Sequence, residues 1–201
     1  MVYYNGALYE CGTTGQKFHH AIGREQAERV IDFLLVQETE AEFSIEVQNR
    51  WFCARTPDYT RLTGFKELPA VIALQELKSY DCTKILIADF RETEALIAEF
   101  GSELNILVTD GGSLIQIMSP EASKERAITQ LCSVLGIGMM DVMCFGDDYN
   151  DLGLFRACGY PVAMGNAVQA LKDIAAETAE TNDNEGVARV LEKLTISISI
   201  S

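Results

Sequence analysis

Lys124, Asp147, Asp148, Asn150 and Asp151 have the types and spacing to act on a phosphate. The four residues after Lys124 fall within the stretch DDYND, close behind the apolar run DVMCF. Carboxylates this crowded repel one another unless a cation lies among them. Mg²⁺ suits such a place, because it takes oxygen ligands and keeps several waters. A magnesium centre beside a cleft commonly serves phosphate chemistry, which also needs a second positive group. Lys124 is that candidate, at the start of a helix whose free N–H groups favour anions. Asn150 can donate a hydrogen bond to the phosphate, and Asp151 can orient Lys124 instead of touching the metal. Two other readings use the same kinds of residue. The acidic cluster can simply complement a helix N-terminus. The segment TNDNEGVARVLE places Gly186 and Glu192 at calcium-loop offsets, but it opens on Thr181 and runs into a helical face at Val187.

The elements around these residues alternate strand and helix. Ser123 is the expected N-cap of a helix over 123–135, with Ala127, Ile128, Leu131, Val134 and Leu135 on one face and Gly136 as its stop. DVMCF reads as a buried strand, and a helix follows the acidic loop. YPVAM is the next strand, GNAVQALKDIAA the next helix, and ETAETND a polar link. EGVARVLEKL is a last helix with Val187, Val190, Leu191 and Leu194 on one face. Near-continuous apolar strands between helices predict a parallel sheet, whose ligands bind at the carboxyl ends of the strands. The loop after DVMCF is at such an end.

Residues 8–118 follow different rules. MVYYNGALYE predicts a strand entering an Asn5-Gly6 turn, and Ala27, Val30, Ile31, Leu34 and Leu35 predict a helix over 25–36. EFSIEV and WFCAR predict a hairpin, TKILIADF a strand, and RETEALIAEF a helix ended by Gly101 at its C′ position. LNILVTDGGSLIQIM predicts two strands around Asp110-Gly111-Gly112, and LPAVIALQEL fits helix or loop. This is an α+β unit on an antiparallel sheet. His19 and His20 read as exposed loop residues, and Trp51 as packed in the hairpin.

A net charge of −14 disfavours nucleic acid and anionic membrane as partners. The six cysteines form no CxxC and lack histidine neighbours at zinc-ligand spacing, so they read as reduced, buried thiols of a cytoplasmic protein. No apolar stretch has the length of a membrane span, and the opening residues do not form a signal peptide.

Taken in order, YYNGALY, SKERAI, GDDYND, VAMGNA and NDNEGVARVL resemble haloacid dehalogenase superfamily phosphatases of the Cof type, over nearly the whole chain. The resemblance implies an α/β fold: an incomplete Rossmann-like parallel-sheet core, residues 1–9 and 118–194, with an inserted α+β cap domain at 10–117. Residues 195–201 remain as a C-terminal tail. It implies Mg²⁺ as cofactor, held by Asp147 with Asp151 as the second acidic residue, and Asp148 as at most an accessory ligand. Lys124 would steady the phosphate, and Asn150 and Asn166 would line its pocket. Lys124 and Asp151 would thus be the catalytic residues present, and the partner a small phosphorylated metabolite such as a sugar phosphate.

The family pattern begins with a DxDGT segment whose first Asp attacks phosphorus, and these 201 residues contain no DxD. The expectation is a chain that starts after that segment, and the alternative is an inactive binder of phosphate and metal. A structural acidic protein is the third reading. The missing strand would border DVMCF, leaving an open sheet edge suited to self-association. TISISIS at the C-terminus alternates with period two and is read as a free tail or as cover for that edge.

Overall fold

The computed structural model describes residues 1–38, 41–55 and 68–198. The chain divides into two compact units, Met1–Ala122 and Ser123–Ser201.

The first unit opens with β1 (Val2–Tyr3) and β2 (Leu8–Glu10), paired antiparallel through a tight turn. Tyr4, Asn5 and Gly6 all take positive φ there, at 52°, 51° and 97°. Asn and Gly tolerate that region, which is why the Asn5-Gly6 pair marks the turn. A third strand, β3 (Lys17–His19), adds to β2 and places His19 in a sheet instead of a loop. Helix α1 (Arg24–Gln37) buries Ala27, Val30, Ile31 and Leu34, the face its spacing predicts.

The main sheet contains β4 (Glu42–Val47), β5 (Arg50–Cys53), β6 (Ala70–Val71), β7 (Lys84–Ala88), β8 (Asn105–Thr109) and β9 (Leu114–Met118). Its order is β6-β5-β4-β7-β9-β8, antiparallel throughout except for the β5–β6 pair. Register aligns Ile45, Ile85 and Ile117 in one row across three strands, and Phe43, Ile87 and Ile115 in the next. All six are buried in one core with α1 and with α3 (Thr93–Phe100). Each such side chain contributes about 1.5–3 kcal/mol, so a one-residue slip would cost far more than any single hydrogen bond. LPAVIALQEL, read as helix or loop, holds a single helical turn α2 (Leu74–Leu77), preceded by the short strand β6, which neither alternative includes. Gly101 does end α3, but with a right-handed φ of −65°. Trp51 donates from Nε1 to the buried Ser44 Oγ at 2.9 Å across the β4–β5 hairpin.

The second unit alternates strand and helix: α4 (Lys124–Leu135), β10 (Met143–Gly146), α5 (Leu152–Ala157), β11 (Tyr160–Ala163), α6 (Gln169–Lys172), β12 (Glu177–Thr178) and α7 (Gly186–Ile198), with β12 formed in the stretch read as a polar link. The three strands are parallel in the order β10-β11-β12. Ser123 Oγ accepts the Arg126 N–H and Gly136 takes a left-handed φ of 70°, so both ends of α4 lie where the residues put them. Cys144, Phe155, Cys158, Ala163, Met164, Ala167 and Leu171 form this unit's core.

Among the described residues no strand pairs with the outer flank of β10. On the predicted apolar face of α7 only Val190 is buried, while Val187, Leu191 and Leu194 stay partly exposed. Residues 195–198 continue α7 as helix, so the period-two alternation of TISISIS does not form a strand there, and 199–201 lie outside the described residues. Among the described residues no helix is long and apolar enough to cross a membrane.

Candidate phosphate and metal site

Lys124, Asp147, Asp148, Asn150, Asp151 and Asn166 all belong to the second unit. β10 ends at Gly146, and the chain turns at once into Asp147 and Asp148. A 3-10 turn over Tyr149–Asp151 then leads into α5.

Asp151 organises this loop. It is 6% exposed, and both carboxylate oxygens are used. Oδ2 accepts the backbone N–H groups of Asp147 at 3.1 Å and Asp148 at 3.4 Å. Oδ1 takes the Lys124 ammonium at 2.5 Å. A carboxylate can satisfy such donors on both oxygens, and charge assistance makes the lysine bond the strong one. Gly146 makes room for it. A Cβ there would sit 2.7 Å from Asp151 Cβ and from the Phe155 ring, well inside contact distance.

The helix-start reading is correct for two of the acidic residues. Asp148 and Asp151 form a capping box, and Asp148 Oδ1 accepts the Tyr149 N–H at 2.7 Å. Asp147 takes no part in the cap. Its carboxylate is exposed and accepts from Asn166 Nδ2 at 3.3 Å, while Asn166 Oδ1 accepts the Asn182 N–H at 3.3 Å. The Asp147 carbonyl also takes the Val168 N–H at 2.9 Å. Asn150 is exposed on the 3-10 turn.

Two glycines let the neighbouring loops close in. A Cβ on Gly165 would lie 2.8 Å from Thr181 N, and one on Gly186 2.1 Å from Glu180 O. Sequence reasoning did not assign roles to Gly146, Gly165 or Asn182. Gly146 and Gly165 stand inside GDDYND and VAMGNA, where the lack of a side chain is itself the signal of close packing. Asn182 acts through its backbone, which residue type does not reveal.

The donor set is oxygen-rich and hard, as Mg²⁺ requires. Among the described residues no three His, Cys, Asp or Glu side chains converge to hold a metal. Of the three loop aspartates, Asp147 is the one whose side chain stays outside the cap.

The family model of haloacid dehalogenase-like hydrolases matches residues 1–191. The chain belongs to that family. Its folded units agree with solved members. A putative HAD/COF-like hydrolase from Plasmodium vivax superposes with a TM-score of 0.85 at 19% identity, covering 96% of this chain and 72% of that one. The HAD subclass IIB sugar phosphatase BT4131 gives 0.75 at 15% identity, covering 96% and 74%. By sequence, the 5-amino-6-(5-phospho-D-ribitylamino)uracil phosphatase YwtE of Bacillus subtilis is 35% identical over 86 residues, which is 43% of this chain and 30% of that relative. The match thus spans about a third of YwtE's length.

Proposed function

We propose that this haloacid dehalogenase-like chain carries the lysine and metal half of a Mg²⁺-dependent phosphohydrolase for small phosphate esters such as sugar phosphates. The observation that carries the reading is the Lys124–Asp151 pair, whose carboxylate also fixes the loop bearing Asp147. One buried anion therefore holds a phosphate-binding cation and a metal-binding carboxylate at the same end of one parallel sheet. The names of BT4131 and YwtE, a sugar phosphatase and a phosphatase of a phosphorylated ribityl compound, support phosphate esters as the substrate class.

The roles follow from the contacts. Lys124 holds a phosphate oxygen, and Asp151 keeps its ammonium in place. Asp147 is the main metal ligand, with Asp148 as accessory and Asp151 as supporting carboxylate. Asn150 hydrogen-bonds the phosphate. Asn166 also lines the pocket, where its amide steadies Asp147. Mg²⁺ bound there supplies positive charge to the phosphate oxygens. Residues 10–117 serve as cap, with 1–9 and 118–194 as core. The flank of β10 that pairs with no strand among the described residues is where a second copy would pair. An acidic surface and six unpaired thiols suit a reducing cytoplasm.

A second reading rests on one observation, the lack of any DxD in the 201 residues. It keeps the pocket as a binder of phosphate and Mg²⁺ without a covalent route. Hydrolysis of p-nitrophenyl phosphate with Mg²⁺ separates the two. Turnover lost in Asp147→Ala supports the enzyme. No turnover, with phosphate and Mg²⁺ still raising the melting temperature, supports the binder. If neither ligand changes either quantity, the site reading itself fails.

A further inference from the structure

Cys144 and Cys158 face each other inside the second unit, sulfur to sulfur at 2.9 Å, both 7% exposed. Cys144 lies on β10, three residues before Asp147, and Cys158 is the residue that closes α5. The pair is 14 positions apart, and the chain between contains the whole acidic loop. We propose that these two thiols form a reversible disulfide that clamps the loop carrying Asp147 to Asp151.

The sulfur separation is short enough for bond formation with a small shift. A disulfide spans about 2.05 Å, so the sulfurs need to approach by about 0.9 Å. Register holds Cys144 opposite Pro161 of β11, and the Cys158 N–H is fixed on Leu154 O at 3.0 Å. Both backbones are thus held in place around the two sulfurs. Burial first, then the Cys158 thiol and the Asp151 carboxylate, push the Cys144 thiol up. The thiolate is therefore scarce at neutral pH, and oxidation of the pair is slow.

A small hydroperoxide balances the step. One thiol sulfur takes the distal oxygen of H₂O₂, an S–O bond forms, the O–O bond breaks, and one water leaves with the thiol proton. The second sulfur then displaces the hydroxyl, forming S–S and breaking S–O, and a second water leaves. Two thiols are oxidised and one peroxide is reduced. Gly146 lies two residues along from Cys144 and packs against Asp151, the carboxylate that orders the loop. The consequence for phosphate or Mg²⁺ binding rests on the function proposed above; the disulfide does not.

The test uses the full chain, treated with H₂O₂, capped with N-ethylmaleimide and digested for mass spectrometry. The expected result is one linked species joining the Cys144 and Cys158 peptides, two hydrogens lighter than the separate thiols and restored by dithiothreitol. It is absent from Cys158→Ser. The oxidised chain should also melt about 5 °C or more above the reduced one, since the bond closes a loop of about 15 residues. Recovery of both residues as capped thiols or as separate sulfinic acids overturns the proposal, as does a linked chain whose melting temperature is unchanged or lower. Neither readout depends on phosphatase activity, so a failure here and a failure of the functional reading are distinguishable.

Discussion

Asp151→Asn isolates the pair on which the site is built. The wild-type carboxylate accepts from three donors, Lys124 Nζ on one oxygen and the N–H groups of Asp147 and Asp148 on the other. An amide has one accepting and one donating end. Whichever way it turns, its NH₂ meets a donor. One charge-assisted bond of about 1.5–3 kcal/mol is lost, and a buried donor is left unpaired at about 1–3 kcal/mol. With Lys124 partly open to water, a total of about 3 kcal/mol is expected, or roughly 6–12 °C for a chain of this size. Lys124→Met alone should cost about 2 kcal/mol, because it leaves the carboxylate buried without its cation. The double substitution is the decisive case. With the ammonium gone, the amide can point its NH₂ at the vacated side and its oxygen at the two backbone donors. The double variant should therefore be at least about 1 kcal/mol more stable than the sum of the singles predicts. Denaturant unfolding of all four proteins measures this. Additivity within about 0.5 kcal/mol would refute the claim that the two side chains act as one unit.

Three further outcomes are expected. Gly146→Ala places a Cβ 2.7 Å from Asp151 Cβ and the Phe155 ring, so it should destabilise by about 1–3 kcal/mol in thermal melts, and Gly138→Ala, whose nearest neighbour is the Asp141 side chain at 3.0 Å, by less. Ser123→Ala removes the cap on the Arg126 N–H and should cost about 1 kcal/mol, with Ser123→Asp close to wild type in the same melt. Burial, with the His20 charge, holds the His19 pKa below its ordinary 6.5. The unfolded chain then binds the proton first, so this stability is present above about pH 6.5 and is lost as pH falls through the folded value. His19→Gln, which keeps a partner for Thr83 Oγ1, should flatten the melting temperature between pH 7 and pH 5; an unaltered slope would contradict the assignment.

What could be read in advance was set by how local its cause is. The spans of α1, β4, β7 and α4 depend on side-chain period and on caps such as Ser123 and Gly136, which lie within each segment. The Asn5-Gly6 and Asp110-Gly111-Gly112 turns likewise carry their positive φ in the residue types. β3, β6 and β12 are two or three residues long and exist because a neighbour offers an edge, so nothing within them signals a strand. Residues 195–198 fail for the opposite reason: their alternation is a strand pattern, yet they directly continue a helix already running from Gly186. At the site, residue types showed that Asp147, Asp148 and Asp151 gather in one loop. They did not show that two of them cap a helix while Asp147 stays outside, because that division depends on backbone donors.

The chain's single tryptophan has a practical consequence. Trp51 is part-buried in the β4–β5 hairpin and tied to Ser44, wholly within Met1–Ala122. Its emission therefore reports the unfolding of the unit that contains it, while far-ultraviolet circular dichroism sums the helices of both. Following the two signals through one denaturant titration tests whether the units unfold together, as coincident transitions would show, or apart. Where the transitions separate, a substitution around Asp151 can be assigned to the unit it perturbs, with no label attached.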